Sequence, residues 1–284
     1  MVDIAINKNM EEIRFNTGET IDELRRKYNP EGSTLRKAQL RMIDILKFIA
    51  KVCEENNLRY WLSSGTLLGA YRHKGCITWD DDLDIEMPRE DYLKLRQILL
   101  QQNNKDNVLQ DYSTDPNYYF SYAKVRDLHS FCETQDNLEN LWKYRGIWID
   151  IFILENYDVC WQKFAFYTYT YGRRFLCSSN HPLLKCIAKA RFAINYYFLF
   201  PLLRPLALFF SSHKQLNNTL GTEYPLPRQL TYIYPLKKQQ FEDGEFYVPN
   251  NMEGILEDHF AFDYRKLPPA ELRGGHEMKI RFSE

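Results

Sequence analysis

The chain has 284 residues, of which 44% are hydrophobic and 26% are charged, and its formal net charge is −1. This length is enough for one large or two small domains with a buried core, and the composition is ordinary for a soluble globular protein. A net charge this close to zero indicates no class of partner by itself, and we expect no nucleic acid partner.

The cysteines and the N-terminus both point to a cytoplasmic protein. The six cysteines form no CxxC pair and share no short spacing, which argues against a zinc site or a disulfide framework and fits a reducing compartment. The first sixteen residues, "MVDIAINKNMEEIRFN", lack a basic segment followed by an apolar core, so we expect no secretory signal.

The N-terminal part of the chain predicts an arm, a long helix and a short strand. Residues 1–32 are polar and aperiodic, and we expect a loose arm. Ser33 is predicted to cap a helix that ends near Asn56, because apolar residues recur there at three- and four-residue steps. "LRYWLSSG" then predicts a short strand that stops at Gly65, and "TLLGAYR" predicts a helical turn.

Three further strands are expected between residues 80 and 158. "DLDIEM" alternates acidic and apolar residues with a period of two, which is typical of a strand. A helix should begin after Pro88, because Glu90 and Asp91 suit the positive end of a helix. "YFSYAKVRD" and "GIWIDIFIL" predict strands, the second aromatic and β-branched.

The segment 159–222 differs from the rest of the chain in its charge. It contains eight Lys or Arg residues and no Asp or Glu, and its longest uncharged run, Phe192 to Leu203, has 12 residues, fewer than the ~18 that span a bilayer. One interpretation is a helical cap with an aromatic core. The other, which we favour, is peripheral contact with an anionic membrane at the inner face of the cytoplasmic membrane, made by apolar residues and by Arg173, Arg174, Lys185, Lys189 and Arg191.

The stretch "CITWDDDLDIEMP" predicts a metal site. On a strand, Asp82 and Asp84 would point to the same face and could converge on one divalent cation. Asp150 is the one charged residue of "GIWIDIFIL", and a buried carboxylate is costly unless it is paired or bound to a metal. Oxygen ligands of this kind suit Mg²⁺, with Mn²⁺ as an alternative. The competing interpretations are an acidic edge strand that faces water, and an Asp150 that caps a loop or pairs with Arg126 or Arg145.

A long motif resembles a known family. "WLSSGTLLGAYRHKGCITWDDDLDIEM", followed by "KVRD", "GIWIDIFILEN", "FEDGEFYVPNN" and "LPPAELRGGH", resembles the LicD/fukutin-related family, a branch of the nucleotidyltransferase superfamily, over residues 33–276. The resemblance implies an α/β (α+β) fold with a polymerase-β-like core sheet flanked by helices. It also implies transfer of phosphocholine or a polyol phosphate from a CDP-linked donor to a hydroxyl of a cell-surface glycan, such as lipopolysaccharide, capsule or teichoic acid, or of its lipid-linked precursor.

The same resemblance implies roles for three aspartates, and position and charge suggest six further site residues. Asp82 and Asp84 would bind the metal, and Asp150 would be a third ligand or the base for the acceptor hydroxyl. A phosphate would lie on the backbone N–H groups at a strand-to-helix turn, where the sequence is Ser64, Gly65 and Thr66. The cations expected to contact the donor diphosphate are Arg72, Lys124 and Arg126.

The predicted domains are the arm 1–32, a catalytic core 33–158, the helical basic and aromatic insertion 159–222, and a segment 223–284 that completes the core. Two other functions remain open. One is a metal-dependent D-x-D glycosyltransferase that uses a nucleotide sugar, and the other is a non-catalytic relative that binds a nucleotide or a glycan. The identity of the donor distinguishes the first from a phosphotransferase.

Overall fold

The computed structural model of the protein describes residues 15–102, 104–133, 139–170, 181–260, 262–274 and 279–283. The described helices are α1 (Ile21–Tyr28), α2 (Thr34–Glu55), α3 (Ser64–Arg72), α4 (Arg89–Gln101), α5 (Val159–Ala165), α6 (Pro182–Ile194), α7 (Phe200–Phe209), α8 (Leu230–Ile233) and α9 (Met252–His259). Short 3₁₀ turns lie at Glu139–Leu141 and Ala270–Leu272, and π-helical turns at Phe166–Thr170 and Asn195–Leu199.

One mixed sheet organises the molecule. The described strands are β1 (Trp61–Leu62), β2 (Asp84–Pro88), β3 (Asn107–Gln110), β4 (Ala123–Asp127), β5 (Ser130–Glu133), β6 (Trp148–Glu155), β7 (Gln215–Asn218), β8 (Arg228–Gln229), β9 (Lys237–Phe241), β10 (Gly244–Val248) and β11 (Lys279–Phe282). Seven strands form a sheet in the order β1-β2-β6-β4-β3, with β7 on β6 and β8 on β7. Only β2 and β6 run parallel within it. The predicted α+β class is confirmed.

The predicted strands and the long helix are confirmed, with shorter bounds for β1 and β4. Ser33 caps α2, its hydroxyl accepting a hydrogen bond from the Arg36 N–H. The buried face of α2 packs in the main apolar core, which also takes Ile85 and Ile151 from the two parallel strands. Helix and sheet therefore share one core.

Residues 21–28 correct the expectation of a loose arm. They form α1, which begins with a capping box in which the Thr20 hydroxyl and the Glu23 carboxylate each accept a hydrogen bond from the other residue's backbone N–H. The Leu24 side chain is fully buried. The apolar residues Ile21, Leu24 and Tyr28 are spaced by three and four residues, but this helical period extends over only eight residues and was not recognised in the polar sequence around it. Residues 1–14 lie outside the described part of the chain.

Asp82 also differs from the prediction, because it precedes strand β2, which begins at Asp84. The loop before the strand is held by the buried Gln39 side chain, whose Nε2 donates to the backbone oxygens of Ile77 (3.1 Å) and Asp80 (2.9 Å). Asp82 and Asp84 are therefore placed by a loop and a strand, and not by the pleat of one strand.

The segment 159–222 is divided between two structural roles. Its last strand, β7, pairs with β6, since Leu154 lies opposite Asn218, and so extends the main sheet. Its helices pack around a second, smaller aromatic core that includes Tyr157, Tyr169, Phe192 and Phe200. The sheet therefore reaches into the predicted insertion; the division of the chain into four parts otherwise stays a prediction.

The stretch Pro182–Phe209 is helical over 28 residues and is long and apolar enough to cross a membrane by length and composition. Its most apolar window has a mean hydropathy of 1.4 and is 22% buried. The uncharged run from Phe192 to Leu203 did not indicate this, because Lys189, Arg191 and Arg204 interrupt the apolar stretch on either side of it. Phe192, Phe200 and Ala207 on one side of this stretch are nevertheless buried against the rest of the protein.

Candidate active site

Two aspartates on neighbouring strands define the candidate site. Asp84 of β2 and Asp150 of β6 lie at the same register of the parallel pair, and the Asp150 N–H donates to the Leu83 oxygen at 2.9 Å. Each is 8% exposed. Both line a cavity of about 210 Å³ whose other walls are Ser64, Asp82, Tyr122, Phe152, Asn218, Tyr224, Leu226, Arg228 and His259.

The loop in front of β2 adds three more carboxylates. Oxygen atoms of Asp80, Asp81 and Asp82 all lie within 4.8 Å of one another, which is close enough to hold one metal ion. Asp80 also approaches Gly65 so closely that a Cβ there would lie 2.8 Å from Asp80 Oδ2. Gly65 therefore serves the site by having no side chain.

The electrostatics of these acids favour a bound cation. Burial, followed by the charges of Asp150 and Asp81, raises the pKa of Asp82 to about 6. Burial, followed by Asp82 and Asp150, raises the pKa of Asp84 well above its ordinary value. Among the described residues, no side chain donates a hydrogen bond to the Asp84 carboxylate. A buried and unpaired carboxylate costs several kcal/mol, which a divalent cation would offset.

Lys124 is the cation that the structure places beside this group. Its Nζ lies 2.5 Å from Asp150 Oδ1 and 4.5 Å from the centre of the Trp148 ring. Asp150 therefore has an ion-pair partner, as one competing interpretation expected, but the partner is Lys124 and not Arg126 or Arg145. Burial is the largest cause of the lowered pKa of Lys124.

Arg126 and Arg72 lie near the site but outside the cavity lining. Buried Arg126 donates to Gln110 Oε1 at 2.5 Å and to the Gly146 oxygen at 2.7 Å. Arg72, at the end of α3, donates to the backbone oxygens of Tyr264 (3.1 Å) and Lys266 (2.6 Å). Both guanidinium groups hold backbone segments in place, so their contact with a diphosphate stays a prediction without geometric support.

The three residues of the strand-to-helix turn take three different positions. Ser64 begins α3 with a φ of +49° and lines the cavity. Gly65 faces Asp80, and the Thr66 hydroxyl accepts a hydrogen bond from the Asp84 N–H at 2.7 Å. No side chain caps the N-terminus of α3. Among the described residues, no side chain therefore satisfies the first N–H groups of α3, and a helix terminus of this kind suits an anion.

Sequence reasoning missed a buried ion pair on the other side of the cavity. Glu86, two residues after Asp84, forms an ion pair with Arg228, and it accepts hydrogen bonds from Trp61 Nε1 (2.9 Å) and the Ser63 hydroxyl (2.7 Å). Burial, followed by the charge of Arg228, lowers the pKa of His259, so its imidazole is neutral at pH 7. The alternation of "DLDIEM" could have indicated Glu86, whereas no motif marks Arg228 or His259.

The chain is similar to a family model and to several known proteins. Residues 57–189 match the model described as "LicD/FKTN/FKRP, nucleotidyltransferase domain". The "Lipopolysaccharide cholinephosphotransferase LicD" of Haemophilus influenzae is 25% identical over 273 residues, which cover 87% of this chain and 97% of that protein.

Two mammalian proteins match over shorter regions. The human "Ribitol 5-phosphate transferase FKRP" is 40% identical over 52 residues, 18% of this chain and 10% of that protein. The mouse "Ribitol-5-phosphate transferase FKTN" is 28% identical over 120 residues, 42% of this chain and 22% of that protein.

Proposed function

The chain belongs to the LicD and fukutin-related family, and from this premise we propose that it is an enzyme that transfers a substituted phosphate group to a glycan. The observation that carries the proposal is the pairing of Asp84 with Asp150 across two parallel strands, in a cavity that also contains the N-terminus of α3. The relatives, a cholinephosphotransferase and two ribitol 5-phosphate transferases, support the same class of reaction.

The transferred group is proposed to be phosphocholine or a polyol phosphate, carried by a CDP-linked donor. The cavity is lined by Tyr122, Phe152 and Tyr224, and aromatic faces attract quaternary ammonium groups. The core is proposed to be of the nucleotidyltransferase type, because the matched family model is a nucleotidyltransferase domain. The helix that follows β1 and the carboxylates on β2 and β6 support this assignment.

The residues fit a divalent metal. Asp82 and Asp84 are the proposed ligands, with Asp150 or the loop acids Asp80 and Asp81 completing the set, and such oxygen donors suit Mg²⁺ or Mn²⁺. When bound, the metal would neutralise charge on the phosphate oxygens. Lys124 would hold Asp150 in place, and the N–H groups of α3 would orient the donor phosphate.

In the reaction, an oxygen of the acceptor hydroxyl forms a bond to the phosphorus that carries the alcohol. The bond between that phosphorus and the bridging oxygen of the anhydride breaks, and CMP leaves. The hydroxyl proton must go to a nearby base. The carboxylate of Asp150 and the neutral imidazole of His259 are the two groups of the cavity proposed for this role.

The enzyme is proposed to work on an anionic membrane surface at the inner face of the cytoplasmic membrane. Large apolar side chains of Pro182–Phe209 face outward: Phe198 is 67% exposed, Leu202 70% and Phe209 79%. Lys189 lies on the same stretch and is exposed, and the segment 159–222 contains no acid that would repel anionic lipids. Arg173 and Arg174, which we also expected to contact lipid, lie outside the described residues.

A transfer assay tests the proposed function. The protein is incubated with Mg²⁺, a bacterial envelope glycolipid fraction and CDP-choline, CDP-ribitol or CDP-glycerol in turn, and CMP release and the mass of the glycolipid are measured. We expect release of CMP with one of the donors and a matching increase in glycolipid mass. Transfer of a sugar from UDP- or GDP-sugars, with none from the CDP donors, would instead establish a glycosyltransferase.

A further inference from the structure

Two cavities away from the aspartates share the same pair of arginines. The first, of about 430 Å³, is walled by aromatic side chains that include Tyr112, Phe120, Tyr122, Tyr196 and Tyr197. The second, of about 440 Å³, is walled by the leucines 93, 154, 208, 216 and 230. Arg89 and Arg204 line both cavities.

Arg89, Arg204 and Glu155 form a cluster with one more cation than anion, whereas Arg59 and Glu90, which also line the second cavity, pair with each other. Arg204 Nε lies 2.5 Å from Glu155 Oε2, and Arg89 Nε lies 3.8 Å from the same oxygen. Thr219 donates to the other Glu155 oxygen at 2.5 Å. Two guanidinium groups therefore share one buried carboxylate, and the remaining positive charge is best matched by an anion.

Arg89 is the group that could bind that anion. Within the described part of the chain it donates no hydrogen bond, and its side chain is 36% exposed. Burial, followed by the charge of Arg204, lowers its pKa. Arg96, which lines the same aromatic cavity, is by contrast occupied by Asp111 at 2.8 Å.

The aromatic cavity adjoins the candidate active site. Tyr122 lines both, and Asn218 of the site is followed by Thr219 of the aromatic cavity. A sugar stacked on these rings could therefore present a hydroxyl to the aspartates. On the other side of Arg89, the leucine-lined cavity lies beside α7, whose Leu206 and Phe209 are exposed.

We propose that Arg89 and Arg204 bind the phosphate or diphosphate that links the acceptor sugar to an apolar chain. The sugar then occupies the aromatic cavity and the apolar chain occupies the leucine-lined cavity. This inference rests on the proposed function for the identity of the acceptor, but the anion subsite itself can be tested without any transfer reaction.

The test is calorimetric titration of the whole protein with inorganic pyrophosphate and with farnesyl diphosphate, in EDTA so that no metal recruits either ligand to the aspartates. We expect both to bind, and farnesyl diphosphate to bind more tightly. Arg89→Gln should lower the affinity for both ligands at least about tenfold, because a charge-assisted hydrogen bond is lost. Arg26→Gln, which removes the same charge from an exposed position on α1, is the matched control and should change neither.

Leu208→Gln separates the two halves of the inference. This substitution should weaken the binding of farnesyl diphosphate and leave the affinity for pyrophosphate unchanged. Equal affinity of the wild-type protein for the two ligands would overturn the assignment of the leucine-lined cavity. Unchanged pyrophosphate binding in Arg89→Gln would overturn the anion subsite.

The result is also distinguishable from a failure of the proposed function. Metal-dependent binding of a CDP-linked donor involves the aspartates and should be the same in Arg89→Gln and wild type. Suppose that the wild-type protein binds pyrophosphate but no cytidine compound, and that Arg89→Gln no longer binds pyrophosphate. The proposed function then fails and the anion subsite stands. If donor binding is normal and Arg89→Gln binds pyrophosphate as the wild type does, only the subsite is overturned.

Discussion

Asp84 and Asp150 lie side by side on β2 and β6, the parallel pair among the described strands of the main sheet. Both are buried, and within the described part of the chain only Asp150 of the two has an ion-pair partner, the Lys124 ammonium at 2.5 Å. Of these two carboxylates, Asp84 is therefore the one whose charge a bound cation would stabilise more.

Asp84→Asn is predicted to abolish transfer without unfolding the protein. Loss of a charged ligand in a buried site should lower activity at least about a hundredfold. Because the Asn side chain is neutral, it also removes repulsion from Asp82 and Asp150, and the melting temperature in EDTA should rise by about 2–4 °C for each kcal/mol gained.

The matched control for that variant is Asp44→Asn, at an exposed position of α2. It should leave both activity and melting temperature near the wild-type values. A large fall in melting temperature for Asp84→Asn would mean that the carboxylate stabilises the fold and is not primarily a metal ligand.

The metal-free protein is predicted to be less stable at pH 7 than at pH 5. The pKa of Asp82 is raised from 3.8 to about 6, so the folded state binds more protons than the unfolded state between these values. The free energy of unfolding therefore falls as pH rises through this window, by about 1 kcal/mol from pH 5 to pH 7 for this group alone. Thermal melts in EDTA measure the effect, and Asp82→Asn should reduce it; an equal pH dependence in that variant would exclude Asp82 as its source.

Gly65→Ala is predicted to impair metal and donor binding with little loss of fold. The added methyl group would lie 2.8 Å from Asp80 Oδ2 and would displace that side chain from the acidic cluster. We expect metal-dependent donor affinity to fall about tenfold, measured by calorimetry. Gly274→Ala, where the new methyl group meets no atom within 4 Å, should bind the donor normally. Normal donor binding in Gly65→Ala as well would show that Asp80 is not needed at the site.

Arg228→Met is predicted to destabilise the protein strongly, by about 3–5 kcal/mol in urea unfolding, because it leaves the buried Glu86 carboxylate without its cation. Lys238→Met breaks an exposed pair with Glu54 and should hardly change the urea midpoint. Equal effects of the two substitutions would contradict the structural importance of the Glu86–Arg228 pair.

Leu202→Gln and Phe209→Gln are predicted to weaken binding to anionic vesicles, each at least about fivefold, because each removes an exposed apolar side chain from the proposed membrane face. Co-sedimentation with phosphatidylglycerol vesicles measures this. Leu272→Gln, at a 69% exposed position outside this face, is the control. Binding that is unchanged in the first two variants would contradict the membrane contact.

The elements around the candidate site were largely predictable from sequence. Helix α2, strand β6 and the burial of Asp150 follow from periodicity, because their apolar faces pack in one core. The convergence of Asp84 and Asp150 could not be derived from spacing, because 65 intervening residues return to the sheet only through tertiary packing.

The less predictable features depend on contacts between distant segments. Arg72 and Arg126 are predicted from sequence to contact the donor diphosphate, but each donates to backbone oxygens that no local pattern reveals. Arg228 reaches Glu86 from 142 residues away, and the isolated basic residue carries no signal of that pairing. The acids that line the candidate site were predicted from sequence, whereas the partners of the nearby cations are visible only in the structure.

The most direct test of the central claim is a thermal-shift screen of the wild-type protein with CDP-choline, CDP-ribitol, CDP-glycerol, CMP and several UDP- and GDP-sugars, each with and without Mg²⁺. The account predicts a Mg²⁺-dependent rise in melting temperature that is confined to cytidine compounds and is absent in Asp84→Asn. A rise with nucleotide sugars alone, or one that is independent of Mg²⁺ and of Asp84, would contradict it.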